Sequence, residues 1–198
     1  MSVPFRLGLT GSIGMGKSTT AGFFRNAGVP VWDADAAVHR LYAPGGDAVA
    51  PLAARWPQVR DRAGGIDRAA LRAVIAADPG ALAMVEGVVH PLVQADRAAF
   101  LGAATADIVV LDIPLLFETG AEAEMQATLA VTAPAAVQRA RVLARPGMTE
   151  AAFEAILRRQ MPDRDKRARA THIIETLGLA AAEAAVHALI AYLRKGPP

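Results

Sequence analysis

The sequence predicts a three-layer α/β/α fold built on a five-stranded parallel sheet. Short β-branched runs alternate with longer alanine-rich stretches that carry apolar residues at helical spacing, which is the α/β pattern. Runs such as "IVVL" are apolar without alternation, as suits a strand covered on both faces in a parallel sheet. The glycine-rich stretch "GLTGSIGMGKST" (8–19) lies between the first such run and the first helical pattern.

The elements follow in chain order. "FRLGLT" (5–10) reads as a first strand, and "KSTTAGFFRNA" (17–27) as a helix ended by Gly28 and Pro30. The glycine tolerates a left-handed backbone, and the proline cannot continue the helix. "VPVW" is a second strand, "ADIVVLDIP" a third, "ATLAVTA" a fourth and "THIIET" a fifth, before a last helix over 179–194. A helix starting near Pro134 is expected to carry Arg141 and Arg145, four residues apart, on one face. About 70 residues without an obvious strand separate the second strand from the third, too many for one crossover helix, and read as a helical insertion.

Composition narrows the function classes. A chain of 198 residues buries roughly 70% of its unfolded surface, enough for one domain with insertions. Cysteine is absent, which removes disulfides, thiolate metal sites and thiol nucleophiles. No cleavable leader or membrane-spanning run is recognisable, because the longest apolar stretch is broken by Glu183 and His187. The expected location is therefore the cytoplasm, with no membrane partner. The 21 basic and 19 acidic residues nearly cancel, so charge does not point to nucleic acid. The oligomeric state stays open, and a monomer is compatible with the sequence.

Gly11, four residues and then Gly16-Lys17-Ser18 fit the phosphate-binding pattern G-x-x-x-x-G-K-[ST] in its strand–loop–helix context. Backbone N–H groups of Gly11, Ser12, Ile13, Gly14, Met15 and Gly16 can turn inward as an anion nest. The helix beginning at Lys17, Ser18 and Thr19 presents its positive end. Lys17 would reach the β- and γ-phosphates of ATP, and the Ser18 hydroxyl would ligate Mg²⁺. The third strand ends in Asp112, placed to hold that Mg²⁺ through water or, alternatively, to be a solvated strand-end carboxylate. No N-K-x-D guanine-reading motif occurs, and the chain is short for a mechanical ATPase. A small-molecule P-loop kinase is the favoured class.

The second strand leads into "WDADAAVHRLY", so Asp33 and Asp35 should emerge at the carboxyl edge of the sheet, where ligands bind. Either carboxylate could take the proton of an acceptor hydroxyl. Asp35 is preferred as the base, because Asp33 could instead cap the next helix. His39, one turn after Asp35, could orient it or an acceptor phosphate, or be a plain surface histidine. The guanidinium forks of Arg141 and Arg145 suit polyphosphate oxygens during transfer. The basic run "RRQMPDRDKRARA" reads as part of a lid, whose closure would exclude water from the reacting phosphoryl group.

These segments resemble the dephospho-CoA kinases over nearly the whole chain. The resemblance rests on "LTGSIGMGKST", "VWDADAAVHRLY", "GGIDRAALRAVI", "VVHPLV", "DIPLLFE", Gln138, Arg141, Arg145 and "RPGMTEAAFEAILRRQ" ending in Gln160. It implies a nucleoside-monophosphate-kinase-like P-loop fold with a core over 1–37, 101–139 and 169–198. It also implies a helical acceptor-binding insertion over 38–100 and a lid over 140–168. The implied reaction transfers the ATP γ-phosphoryl group to the ribose 3′-hydroxyl of dephospho-CoA. Arg68, His90, Pro91, Leu115 and Glu118 would belong to the acceptor side, with helix punctuation as the other reading of His90-Pro91. Two departures stand out. Thr176 follows the fifth strand where many relatives have Asn, which weakens an adenine contact there. Pro146 replaces an acidic residue after Arg145 and should alter lid geometry while leaving Arg145 available. The alternatives are another P-loop kinase, acting on a nucleoside monophosphate or small metabolite, and a nucleotide-dependent switch.

Overall fold

The computed structural model describes residues 3–196. Its elements, in chain order, are β1 (Phe5–Thr10), α1 (Lys17–Asn26), β2 (Val31–Asp33), α2 (Ala34–Tyr42), α3 (Val49–Arg55), α4 (Arg68–Ala77) and α5 (Ala81–Ala103). They continue with β3 (Ile108–Asp112), β4 (Ala127–Thr132), α6 (Ala135–Leu143), α7 (Glu150–Leu157), α8 (Asp163–Arg169), β5 (His172–Glu175) and α9 (Leu179–Arg194). The five strands form one sheet in the order β2-β3-β1-β4-β5. Strand β1 pairs in parallel with β3 and β4, and β4 pairs in parallel with β5. The expected α/β fold with a five-stranded parallel sheet is present.

The apolar runs explain this order. Every residue of β3 and of β4 is buried, as befits strands flanked on both sides by others and covered by helices. Strand β5, at the edge, leaves Ile173 and Glu175 exposed. One core joins Leu7 and Leu9 of β1 and Leu129 and Val131 of β4 to Phe24 of α1 and Val186, Ile190 and Leu193 of α9. The spacing of Ala182, Val186, Leu189, Ile190 and Leu193 lays one apolar stripe along α9. Full burial of a side chain such as Phe24 contributes about 1.5–3 kcal/mol.

The chain divides into two compact units. One comprises the residues up to Trp32 and those from Ala104 onward; the other runs from Asp33 to Ala103. Beyond Asp33, the last residue of β2, the regular elements of the second unit are helices, with one bridge between Arg60 and Ile66. It has a core of its own around Leu41, Leu52, Trp56, Val59, Leu71 and Val85.

Two local expectations change. The helix near Pro134 ends at Leu143, so Arg141 lies on α6 but Arg145 lies beyond it. Pro146 disfavours helical geometry at the residue before it, and Gly147 then takes a φ of 75°. Pro91 does not end a helix but sits inside the 23-residue α5. An interior proline ring crowds the carbonyl four residues back. Here that residue is Gly87, and α5 nevertheless runs through from Ala81 to Ala103.

Candidate active site

The loop after β1 is shaped by glycines that have no room for a side chain. Gly14 has a φ of 79°, and a β-carbon there would come within 2.5 Å of Val142 Cγ2. Gly16, with a φ of 88°, is the N-cap of α1, and a β-carbon there would meet Thr176 Oγ1 at 2.9 Å. No side chain caps α1, so its first-turn N–H groups are available to an anion. Met15, buried beneath the loop, accepts the Ala133 N–H at its sulfur (3.1 Å).

The ends of the neighbouring strands supply the charged groups. Register pairs Leu9 of β1 with Asp112 of β3, which puts a 1% exposed carboxylate beside the loop. Lys17 Nζ lies 2.5 Å from Asp112 Oδ1. Ser18, on the first turn of α1, is exposed. A serine hydroxyl and an aspartate carboxylate are hard-oxygen donors of the kind that suit Mg²⁺ alongside phosphate.

Next to the loop opens a cavity of about 230 Å³ lined by Gly14, Gly16, Phe23, Arg141, Arg145 and Leu179, among others. The structure therefore brings Arg141 and Arg145 to one cavity although only one is helical. Thr176, also on that cavity, organises the wall. Its hydroxyl lies 2.8 Å from the Met15 carbonyl, to which it donates, and accepts from Arg141 Nη1 at 3.0 Å. Arg141 Nη2 donates to the Thr176 carbonyl as well.

The stretch after β3 is also pinned. The Pro114 carbonyl accepts from Thr10 Oγ1 (3.0 Å) and from Lys166 Nζ (3.2 Å). Glu118 Oε1 lies 2.8 Å from Lys166 Nζ and accepts the Met161 N–H at 2.8 Å. Burial would raise the Glu118 carboxyl, but Lys166 and these hydrogen bonds outweigh it and hold the group below its ordinary value. Leu115 is 39% exposed, whereas its neighbour Leu116 is buried.

In the helical unit, Asp33 caps α2 by accepting the Ala36 N–H (2.9 Å). Asp35, in the first turn of α2, is exposed, as is His39 one turn on. Asp67 caps α4 through the N–H groups of Ala69 and Ala70, and this sets Arg68 at the helix start. Arg68 Nη1 then lies 2.9 Å from His39 Nε2; since guanidinium only donates, that nitrogen accepts. Burial pushes the nearby Tyr42 hydroxyl up, partly offset by the Arg68 charge. His90 and Pro91 lie on the exposed side of α5.

A family model described as dephospho-CoA kinase matches residues 5–181. The chain belongs to the dephospho-CoA kinase family. It is 70% identical, over 97% of its own length and 97% of the relative's, to the dephospho-CoA kinase of Cereibacter sphaeroides. Among solved structures, the crystal structure of TT1252 from Thermus thermophilus is 37% identical and superposes with a TM-score of 0.85, covering all of both chains. The dephospho-CoA kinase from Campylobacter jejuni is 19% identical, with a TM-score of 0.67 over 98% of this chain and 100% of that one, and shares the fold. The kinase class favoured from the sequence is the class to which this enzyme belongs.

Several residues of this kinase site carry no motif of their own. Gln138 and Gln160, which enter the family resemblance without a role, both bind the backbone of Ile13. Lys166 sits in a basic run, and nothing in that run marks it as the cation buried against Glu118. Thr176 stood out as a departure, and its small hydroxyl side chain fits tightly against Gly16.

Proposed function

We propose that this kinase transfers the γ-phosphoryl group of ATP to the ribose 3′-hydroxyl of dephospho-CoA, with Asp35 accepting the hydroxyl proton. The observation that carries the donor half is the Lys17–Asp112 pair at the mouth of the glycine cradle. Lys17 would exchange that carboxylate for the β- and γ-phosphates, and the α1 first-turn N–H groups would hold their oxygens. Ser18 and Asp112 would hold Mg²⁺, which when bound neutralises charge on the transferring group. Arg141 and Arg145, on the cavity wall, would bind polyphosphate oxygens as the bond to the ADP leaving oxygen breaks and the bond to the 3′-oxygen forms. The same cavity, apolar at Phe23 and Leu179, suits the nucleoside end of ATP.

On the acceptor side, the support comes from Asp35, His39 and Arg68, the last two already in contact. Arg68 would bind an acceptor phosphate, and His39 would fix its guanidinium. Asp33 serves the fold by capping α2, which favours Asp35 as the proton acceptor. The test is ADP release with dephospho-CoA, with a panel of nucleoside monophosphates, and with no acceptor. Stimulation by dephospho-CoA with CoA as product supports the proposal; acceptor-independent hydrolysis alone overturns it.

A further inference from the structure

We propose that Gln138 and Gln160 are positioning residues that fasten both ends of one arginine-bearing segment to a single residue of the phosphate loop, Ile13. This inference rests on the kinase reading of that loop. Gln160 Oε1 accepts the Ile13 N–H at 3.0 Å, and Gln138 Nε2 donates to the Ile13 carbonyl at 2.8 Å. The backbone group on each side dictates which end of the amide faces it, since an N–H needs an oxygen and a carbonyl needs an N–H. Both polar groups of a loop residue are thereby satisfied by side chains and not by regular structure.

The two glutamines reach Ile13 from opposite ends of the segment. Gln138, 6% exposed, projects from α6, which abuts the loop so closely that a β-carbon on Gly14 would lie 3.0 Å from the Gln138 carbonyl. Gln160 follows α7, in a turn where its N–H reaches the Leu157 carbonyl (3.1 Å). The next N–H, that of Met161, is held by Glu118 (2.8 Å), itself paired with Lys166. Gln160 is thus anchored on its far side before it grips the loop. Between the glutamines lie Arg139, Arg141, Arg145, Arg158 and Arg159.

A loop with glycines at 11, 14 and 16 has many accessible conformations. Two hydrogen bonds to Ile13 favour the one shown, each by a factor of about five. The same bonds make the ends of the arginine-bearing segment move with the cradle.

Gln138→Met and Gln160→Met remove each bond at similar volume. The expected result is a fall in kcat/KM for ATP of about fivefold to tenfold in each, with KM for dephospho-CoA within twofold of wild type. The double variant should lose less than the product of the single losses, because both bonds restrain one residue. A purely structural role would instead lower Tm and depress both substrates' kcat/KM alike, which would overturn the proposal. Polarity provides a second arm. Gln160→Glu keeps an acceptor for the Ile13 N–H, whereas Gln138→Glu sets a carboxylate against the Ile13 carbonyl. Both add the same charge, so Gln160→Glu should retain several-fold more kcat/KM for ATP than Gln138→Glu; equality or the reverse order contradicts the assignment. ADP affinity measured by titration on the same variants should follow the same ranking. That readout judges the clamp even if wild-type protein were to form no CoA, an outcome that would count against the kinase reading alone.

Discussion

Lys17 Nζ rests 2.5 Å from Asp112 Oδ1, so the lysine of the phosphate loop is held at the end of β3 by a carboxylate that is 1% exposed. The pair keeps a buried negative charge partnered and keeps Lys17 within the cradle. Lys17→Ala should lower kcat by roughly 10²- to 10³-fold, the scale of losing one donor to developing charge. Asp112→Asn should raise the Mg²⁺ concentration needed for half-maximal rate. Both are read from initial rates across a Mg²⁺ titration.

Lys166 is fully buried against Glu118 and the Pro114 carbonyl. Lys166→Met should destabilise the protein by about 3–5 kcal/mol, because it strands a partly buried carboxylate. Glu118→Leu on that background should restore part of the loss, as denaturant unfolding would show.

The same pair predicts a pH dependence. The Glu118 carboxyl is held below its ordinary value of 4.5, with burial opposing the shift and Lys166 with the Met161 N–H driving it. A depressed carboxyl stabilises the fold above that value and loses the contribution as pH falls through the folded-state value. The stability gap between wild type and Glu118→Gln should therefore be constant near neutrality and close progressively below pH 4.5. A gap that widens in acid would contradict this.

Thr176→Val removes the hydroxyl that joins Arg141 to the Met15 carbonyl but keeps the shape that packs on Gly16. KM for ATP should rise roughly fivefold to tenfold, as expected for losing hydrogen bonds of which one is charge-assisted. KM for dephospho-CoA should be unchanged in the same assay.

Arg68→Gln should raise KM for dephospho-CoA about tenfold or more, as for loss of a charged hydrogen bond, with KM for ATP unchanged. His39→Ala, which leaves Arg68 in place but unsupported, should show a smaller effect of the same kind.

Much of the fold was legible in the chain. The five strands and the phosphate loop declared themselves because their signals are local: apolar runs, a glycine spacing and a helix start. Asp33 as a cap was legible for the same reason. Arg145 was misplaced on a helix because the alanine-rich composition of "AAVQRARVLA" outweighed the Pro146-Gly147 stop. Pro91 carries a breaker's meaning locally, yet it sits inside the 23-residue α5. The Glu118–Lys166 pair and the glutamines on Ile13 gave no local signal, because their partners lie far away in sequence. In the glutamines' case the partner is backbone, which no residue pattern reveals.

The most direct test of the account is turnover of Asp35→Asn at saturating ATP, dephospho-CoA and Mg²⁺. A general base in phosphoryl transfer contributes about 10²- to 10⁴-fold, so kcat should fall by that factor while both substrates still bind and the protein unfolds at its usual temperature. Near-normal kcat in Asp35→Asn would contradict the assignment of Asp35 as the group that takes the acceptor proton.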